Sequence, residues 1–248
     1  MKRKIITSVA VTVALLAAVT VLLTIWHKGP YTAEELGIDT VLSDRDDDGD
    51  GIDNYTDMML TARAYIATKP SYQSQYFAGG YPTDGTGVCT DVIWQALMGA
   101  GIDLKALVDA DVAQNPELYP DMTKPDPNID FRRVKNLNVF FERHATSLTC
   151  DLSKPEEFQP GDIIVIDPSH IAICSDKRNR RGVPYIIHHS PLGAVEADEL
   201  YLFEITAQYR FTSEGFGQDS PLHFIHIIAL NRSISLYIPI SPIKETKK

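Results

Sequence analysis

An uncharged apolar run from Ile5 to Trp26, 22 residues long, sets the first constraint on this chain. It matches the ~20 residues that cross a bilayer and exceeds the apolar core of an ordinary signal peptide. Lys2, Arg3 and Lys4 precede it, and no small-x-small cleavage site leads from it into polar sequence. Basic flanks stay on the cytoplasmic side, so residues 1–28 are expected to be a single-pass anchor in the cell membrane, with a cleaved signal as the alternative. Everything after Lys28 is then expected outside the cytoplasm.

The net charge of −10 is concentrated in one place, because residues 44–57 hold seven Asp against one Arg. Such local acid argues for a cation site and against nucleic acid as a partner. Within DRDDDGDGIDNYTD, Asp46, Asp48 and Asp50 fall on positions 1, 3 and 5 of a calcium loop. Gly51 takes the tight-turn position 6, Ile52 offers a carbonyl at 7, Asn54 stands at 9 and Asp57 at 12. Calcium wants six to eight oxygens around one point, which this spacing supplies. The alternative is a solvated acidic linker, which needs neither the glycine nor the helix that follows. The run DDDGDGIDNYTDMMLTARAYI resembles the calcium-binding half-repeat of dockerins, in which position 12 is also Asp. With one copy, pairing with cohesin does not carry over. Calcium is expected to be structural, within a stalk at 29–57, and no organic cofactor is expected.

Further along, helical spacing governs the front half and short β-rich runs the back half. Thr32 with Glu35 reads as a capping box, and helices are expected from Met58 to before Pro70, over Thr90–Ala100, in DLKALVDADVAQN, and over Val134–His144. Residues 71–88 are rich in turn formers and read as irregular. Strands are expected in DIIVID, HIAICSD, PYIIHHS, near Leu200–Phe203, in QYRFT, and in the runs LHFIHIIAL and SISLYIPI of a C-terminal extension, 213–248. No helix long enough for a parallel crossover lies between them, so an α+β domain with an antiparallel sheet is expected over 58–212.

Three cysteines leave at least one unpaired thiol in an exported chain. Cys150 and Cys174 are candidates to pair, which would leave Cys89 free. Cys89 heads a helix, where the dipole favours thiolate. His170 opens the strand HIAIC, and His188 and His189 face opposite sides of the next strand, so one of them can orient His170. Cys89, His170 and His188 together could instead hold zinc.

The order GVCTDVIWQAL, PGDIIVIDPSHIAICSD, YIIHHSP resembles the NlpC-type branch of papain-like cysteine peptidases. The chain is more similar still to an uncharacterised bacterial family of that clan, through GVCTDV, YPDMTKPDPNIDFRRVKNL, PGDIIVID, HIAICSD and QYRF. The resemblance implies a papain-like fold with N-terminal helices packed on the sheet. It implies Cys89 as nucleophile, His170 as base, His188 as the orienting residue in preference to His189, and Tyr81 as a possible oxyanion donor. Its substrate would be the peptidoglycan stem peptide, cut at an amide through an acyl-cysteine. Arg132 and Arg133 are candidates to read substrate carboxylates, with surface ion pairing as the alternative. A non-catalytic wall- or partner-binding module, and an amidase or acyltransferase for another substrate, are the competing readings.

Overall fold

The computed structural model describes residues 12–13, 15–21, 29–119, 122, 124–167 and 169–213. Among them no helix is long and apolar enough to cross a membrane. Most of the expected anchor, and both apolar runs of the C-terminal extension, lie outside the described residues.

The architecture is α+β. Helix α1 (Asn54–Ala67) starts where the Asp53 side chain accepts the Tyr55 N–H. Helix α2 (Cys89–Gly99) buries Val92, Ile93, Ala96 and Leu97. Helix α3 (Leu104–Gln114) is capped by Asp103, which accepts the Ala106 N–H at 3.0 Å. Helix α4 (Val134–His144) spans the expected residues. The loop between α1 and α2, expected to be irregular, carries one short parallel pair, β1 (Ser71–Tyr72) with β2 (Thr86–Gly87).

The main sheet joins β3 (Thr146–Ser147), β4 (Ile163–Ile166), β5 (His170–Arg178), β6 (Pro184–Ser190), β7 (Gly193–Ala197) and β8 (Ile205–Arg210). Their order is β3-β8-β4-β5-β6-β7, and every neighbouring pair is antiparallel. The central strands are apolar at successive positions because both faces are covered. Ile163, Val165, Ile171, Ile173 and Ile187 join the helices in the larger core. Ile164, Ile166, Ala172, Cys174 and Ile186 pack with Phe158, Val183 and Leu200 on the other face. Each isoleucine so buried contributes on the order of 2 kcal/mol.

One strand expectation is corrected, and one strand was not foreseen. Leu200–Leu202 forms a 3-10 turn, because Leu200 alone is buried while Tyr201 and Leu202 face solvent. Strand β7 escaped notice in the sequence, since its small, half-exposed residues carry no alternation.

The segment expected as a stalk lies against the domain. Thr32 and Glu35 form the expected capping box, with the Glu35 N–H donating to Thr32 Oγ1 at 3.2 Å and the Thr32 N–H to Glu35 Oε2 at 3.0 Å. Tyr31 bridges to Arg178 through two backbone hydrogen bonds of 2.8 Å, and the Val41 N–H donates to Gln159 Oε1 at 3.0 Å.

Candidate active site

Cys89 is the first residue of α2 and is 5% exposed. Its sulfur lies 4.0 Å from the Ser169 carbonyl, and the backbone N–H groups of Ile171, Thr90 and Cys89 act on it. The sulfur therefore stands against the backbone on either side of His170. Gly87, two residues upstream, is dictated by closeness: a Cβ there would sit 2.2 Å from the Tyr65 hydroxyl.

The sheet register explains the histidine pair. Ile173 lies opposite Ile187, which sets His188 opposite Ala172, two residues along from His170 and on the same face. Accordingly His170 Nε2 and His188 Nδ1 are 2.8 Å apart. Nδ1 of His170 is the ring nitrogen that His188 does not engage. His189 faces the helices instead, where its Nδ1 meets the Tyr65 hydroxyl at 2.9 Å and the Tyr72 ring packs edge-on at 5.2 Å.

Electrostatics depart from the sequence expectation at the thiol. A helix start favours thiolate, but burial pushes Cys89 up to about 11, against the pull of the three N–H groups. Burial pushes His170 and His188 down to about 4, and the other histidines act in the same direction. At neutral pH the resting site holds a thiol and two uncharged imidazoles.

A cleft of about 510 Å³ opens at Cys89, lined among others by Tyr72, Ser74, Arg133, Lys135, Asn136 and Ser169. The two arginines divide. Arg132 also borders the cleft, but its guanidinium is buried and grips Asp91 with two bonds of 2.8 Å, donating a third to the Gln75 carbonyl at 3.1 Å. Asp91 in turn accepts the Val88 N–H and the Trp94 indole N–H, both at 2.7 Å. Arg132 is thus engaged by Asp91 in the first turn of α2, an ion pair that is buried rather than at the surface. Arg133 keeps an exposed side chain, with Asp130 at 3.5 Å.

Tyr81 packs its ring against Trp94 at 4.7 Å and Phe131 at 5.3 Å, while Tyr72 is the tyrosine that borders the cleft beside Cys89. The sequence reading missed both Tyr72 and Asp91. The carboxylate two residues after Cys89 was open to capping logic, as the third residue of a helix reaching back to its N-cap. Tyr72 had no local signal. All three cysteines are free thiols, with Cys150 exposed and Cys174 buried, so the candidate pairing does not occur here.

At the acidic loop, carboxylate oxygens of Asp46, Asp48 and Asp50 all lie within 4.8 Å of one another. Gly51 has φ +94°, the bend expected at position 6. Asp57 is 6% exposed, and its Oδ2 has no hydrogen-bond partner among the described residues. Burial, then Asp50 and Asp48, push its carboxyl up to about 6. Asn54 is turned away: its side chain accepts the Asp47 N–H at 2.9 Å and donates to Asp47 Oδ2 at 2.8 Å. The Asn54 amide is thus engaged within the loop rather than with the clustered carboxylates.

Residues 59–211 match the family described as "Domain of unknown function (DUF1287)". The chain is 39% identical over 149 residues to "Uncharacterized protein YijF" of Escherichia coli (strain K12), an alignment spanning 57% of this chain and 72% of that protein. No solved structure matches the chain.

Proposed function

We propose that this chain, which belongs to the DUF1287 family, is a papain-like cysteine hydrolase that cuts an amide bond of peptidoglycan stem peptides outside the cytoplasm. One observation carries the reading: a helix-heading thiol stands against the backbone flanking a histidine whose far nitrogen is held at 2.8 Å by a second histidine. In this reading the Cys89 proton passes to His170 Nδ1 as the sulfur attacks the carbonyl carbon. The C–N bond breaks, the amine leaves with the proton from His170, and water then hydrolyses the thioester through the same base. The N–H groups of Cys89 and Thr90, already aimed at the sulfur, favour charge developing there. Arg133 and Lys135 at the cleft suit a carboxylate-bearing substrate. Mass analysis of soluble fragments released from purified peptidoglycan tests this. A new amine and carboxyl at a stem-peptide amide is the expected result, and no fragment above the enzyme-free control would remove the substrate assignment.

The buried, protonated thiol favours one rival, a binding module that keeps the fold without turnover. Turnover separates them: release of wall-peptide fragments that Cys89→Ala abolishes marks the enzyme, and binding of wall peptide with no release marks the module.

The remaining assignments belong to the same reading. Residues 1–28 anchor the chain in the cell membrane, supported by their apolar run and by exposed Leu15, Leu16 and Val19. Asp46, Asp48, Asp50 and Asp57 with the Ile52 carbonyl hold a structural calcium, supported by the clustered oxygens and the orphaned Asp57 Oδ2. Calcium would supply the charge that this pocket of carboxylates lacks. The sign of the pH effect follows from Asp57. Its carboxyl is raised in the fold, so the folded state binds more protons than the unfolded chain between about 4 and about 6. Metal-free stability should therefore fall as pH rises through that window, by on the order of 1–3 kcal/mol. Calcium at pH 7 should restore it, and Asp57→Asn should flatten the pH response. Thermal melts with and without chelator read all three; identical melts at pH 7 would exclude the calcium site.

A further inference from the structure

The base at His170 works only if its Nδ1 carries a lone pair, and the contact with His188 does not by itself ensure this. Two neutral imidazoles facing each other at 2.8 Å share one proton between the facing nitrogens. If His170 Nε2–H donates to His188 Nδ1, then His170 Nδ1 is bare and can take the thiol proton. In the other arrangement His188 Nδ1–H donates, His170 carries its proton on Nδ1, and it cannot act as base. What selects between them must act on the far side of His188.

That side is Nε2, a buried nitrogen with no in-line hydrogen-bond partner among the described residues. A carboxylate stands beside it, with Glu199 Oε2 at 3.3 Å. Glu199 is the residue before the 3-10 turn Leu200–Leu202, and fully buried Leu200 pins the backbone at this point. The Phe203 ring, on the far side of that turn, packs against His188 at 6.4 Å between centroids. A carboxylate accepts and cannot donate, so it favours a proton on His188 Nε2 and disfavours a lone pair there.

We propose that Glu199 is a positioning residue of the active site: it fixes the proton of His188 on Nε2, which forces His170 Nε2–H to donate and leaves His170 Nδ1 free to accept the Cys89 proton. The inference rests on the cysteine-hydrolase reading and extends the Cys89, His170, His188 series by a fourth group. Glu199 touches no reacting atom. Its effect should fall on kcat and leave KM alone.

The test uses the full-length purified chain. Long-range ¹⁵N–¹H correlation spectra of the histidine rings, recorded in a Cys89→Ala background, should place the protons on Nε2 of both His170 and His188. Glu199→Leu should lose that single pattern and lower kcat about tenfold at unchanged KM. Glu199→Gln, which can still present a carbonyl oxygen, should recover most of both. A proton found on His188 Nδ1 in the parent chain would overturn the proposal, as would Glu199→Leu with unaltered spectra and kcat. Failure of the underlying reading looks different: turnover surviving Cys89→Ala removes the cysteine mechanism whatever the ring spectra show.

Discussion

Cys89→Ala is expected to abolish release of wall peptides, by roughly 10⁴-fold or more, while the chain melts within a few degrees of the parent. In the proposed mechanism the sulfur forms the acyl intermediate, and the neighbouring Thr90 hydroxyl, which donates to the Arg132 carbonyl at 3.1 Å, does not replace it. Alanine fills most of the same buried space at 5% exposure, so loss of folding is not the cause. The pH profile of the parent chain carries the second half of this prediction. With His170 pushed down to about 4 and Cys89 up to about 11, the competent form, neutral base and protonated thiol, dominates between them. The base is active only when unprotonated, so kcat/KM should rise through pH 4 and hold a plateau past neutrality, falling only towards 11. A narrow bell centred near pH 6 to 7 would mean a preformed thiolate–imidazolium pair and would contradict the burial argument. Residual turnover in the alanine variant would end the cysteine mechanism itself.

What was legible in the sequence followed from period and spacing. Strand parity left one of His188 and His189 able to meet His170, the family resemblance favoured His188, and the structure brings the rings of His170 and His188 together. Helix α4 spans Val134–His144 as its pattern indicates, and Gly51 bends where a loop around a cation would require it. What was illegible depends on distance through space. Arg132 and Asp91 are 41 residues apart, and no local pattern says that an arginine in FRRVKN reaches the first turn of another helix. The thiol shows the same limit. A helix N-terminus is visible in the sequence and pulls one way, whereas burial appears only in the fold and here pulls harder. Asn54 fits position 9 by count, yet it opens α1 and its amide is taken by Asp47. Loop counting cannot register that competition.

Arg132→Ala should be among the most destabilising single changes in the domain, at about 3–5 kcal/mol, because it strips the partner from a carboxylate with 0% exposure. Asp91 would keep the Val88 and Trp94 N–H donors but lose both guanidinium bonds in a site that water does not reach. At roughly 2–4 °C per kcal/mol for a domain of this size, Tm should drop by about 10 °C. Arg133→Ala is the control, since that side chain is half exposed and its ion pair with Asp130 is long at 3.5 Å. It should melt like the parent and raise KM for a carboxylate-bearing substrate. The two variants separate a residue that shapes the site from one that meets the substrate. Should Arg132→Ala melt like the parent and raise KM, the guanidinium would be a substrate ligand and the grip on Asp91 incidental. Arg132→Met combined with Asp91→Asn should recover part of the lost stability, because the cost lies in stranding one charge, and the pair removed together leaves none.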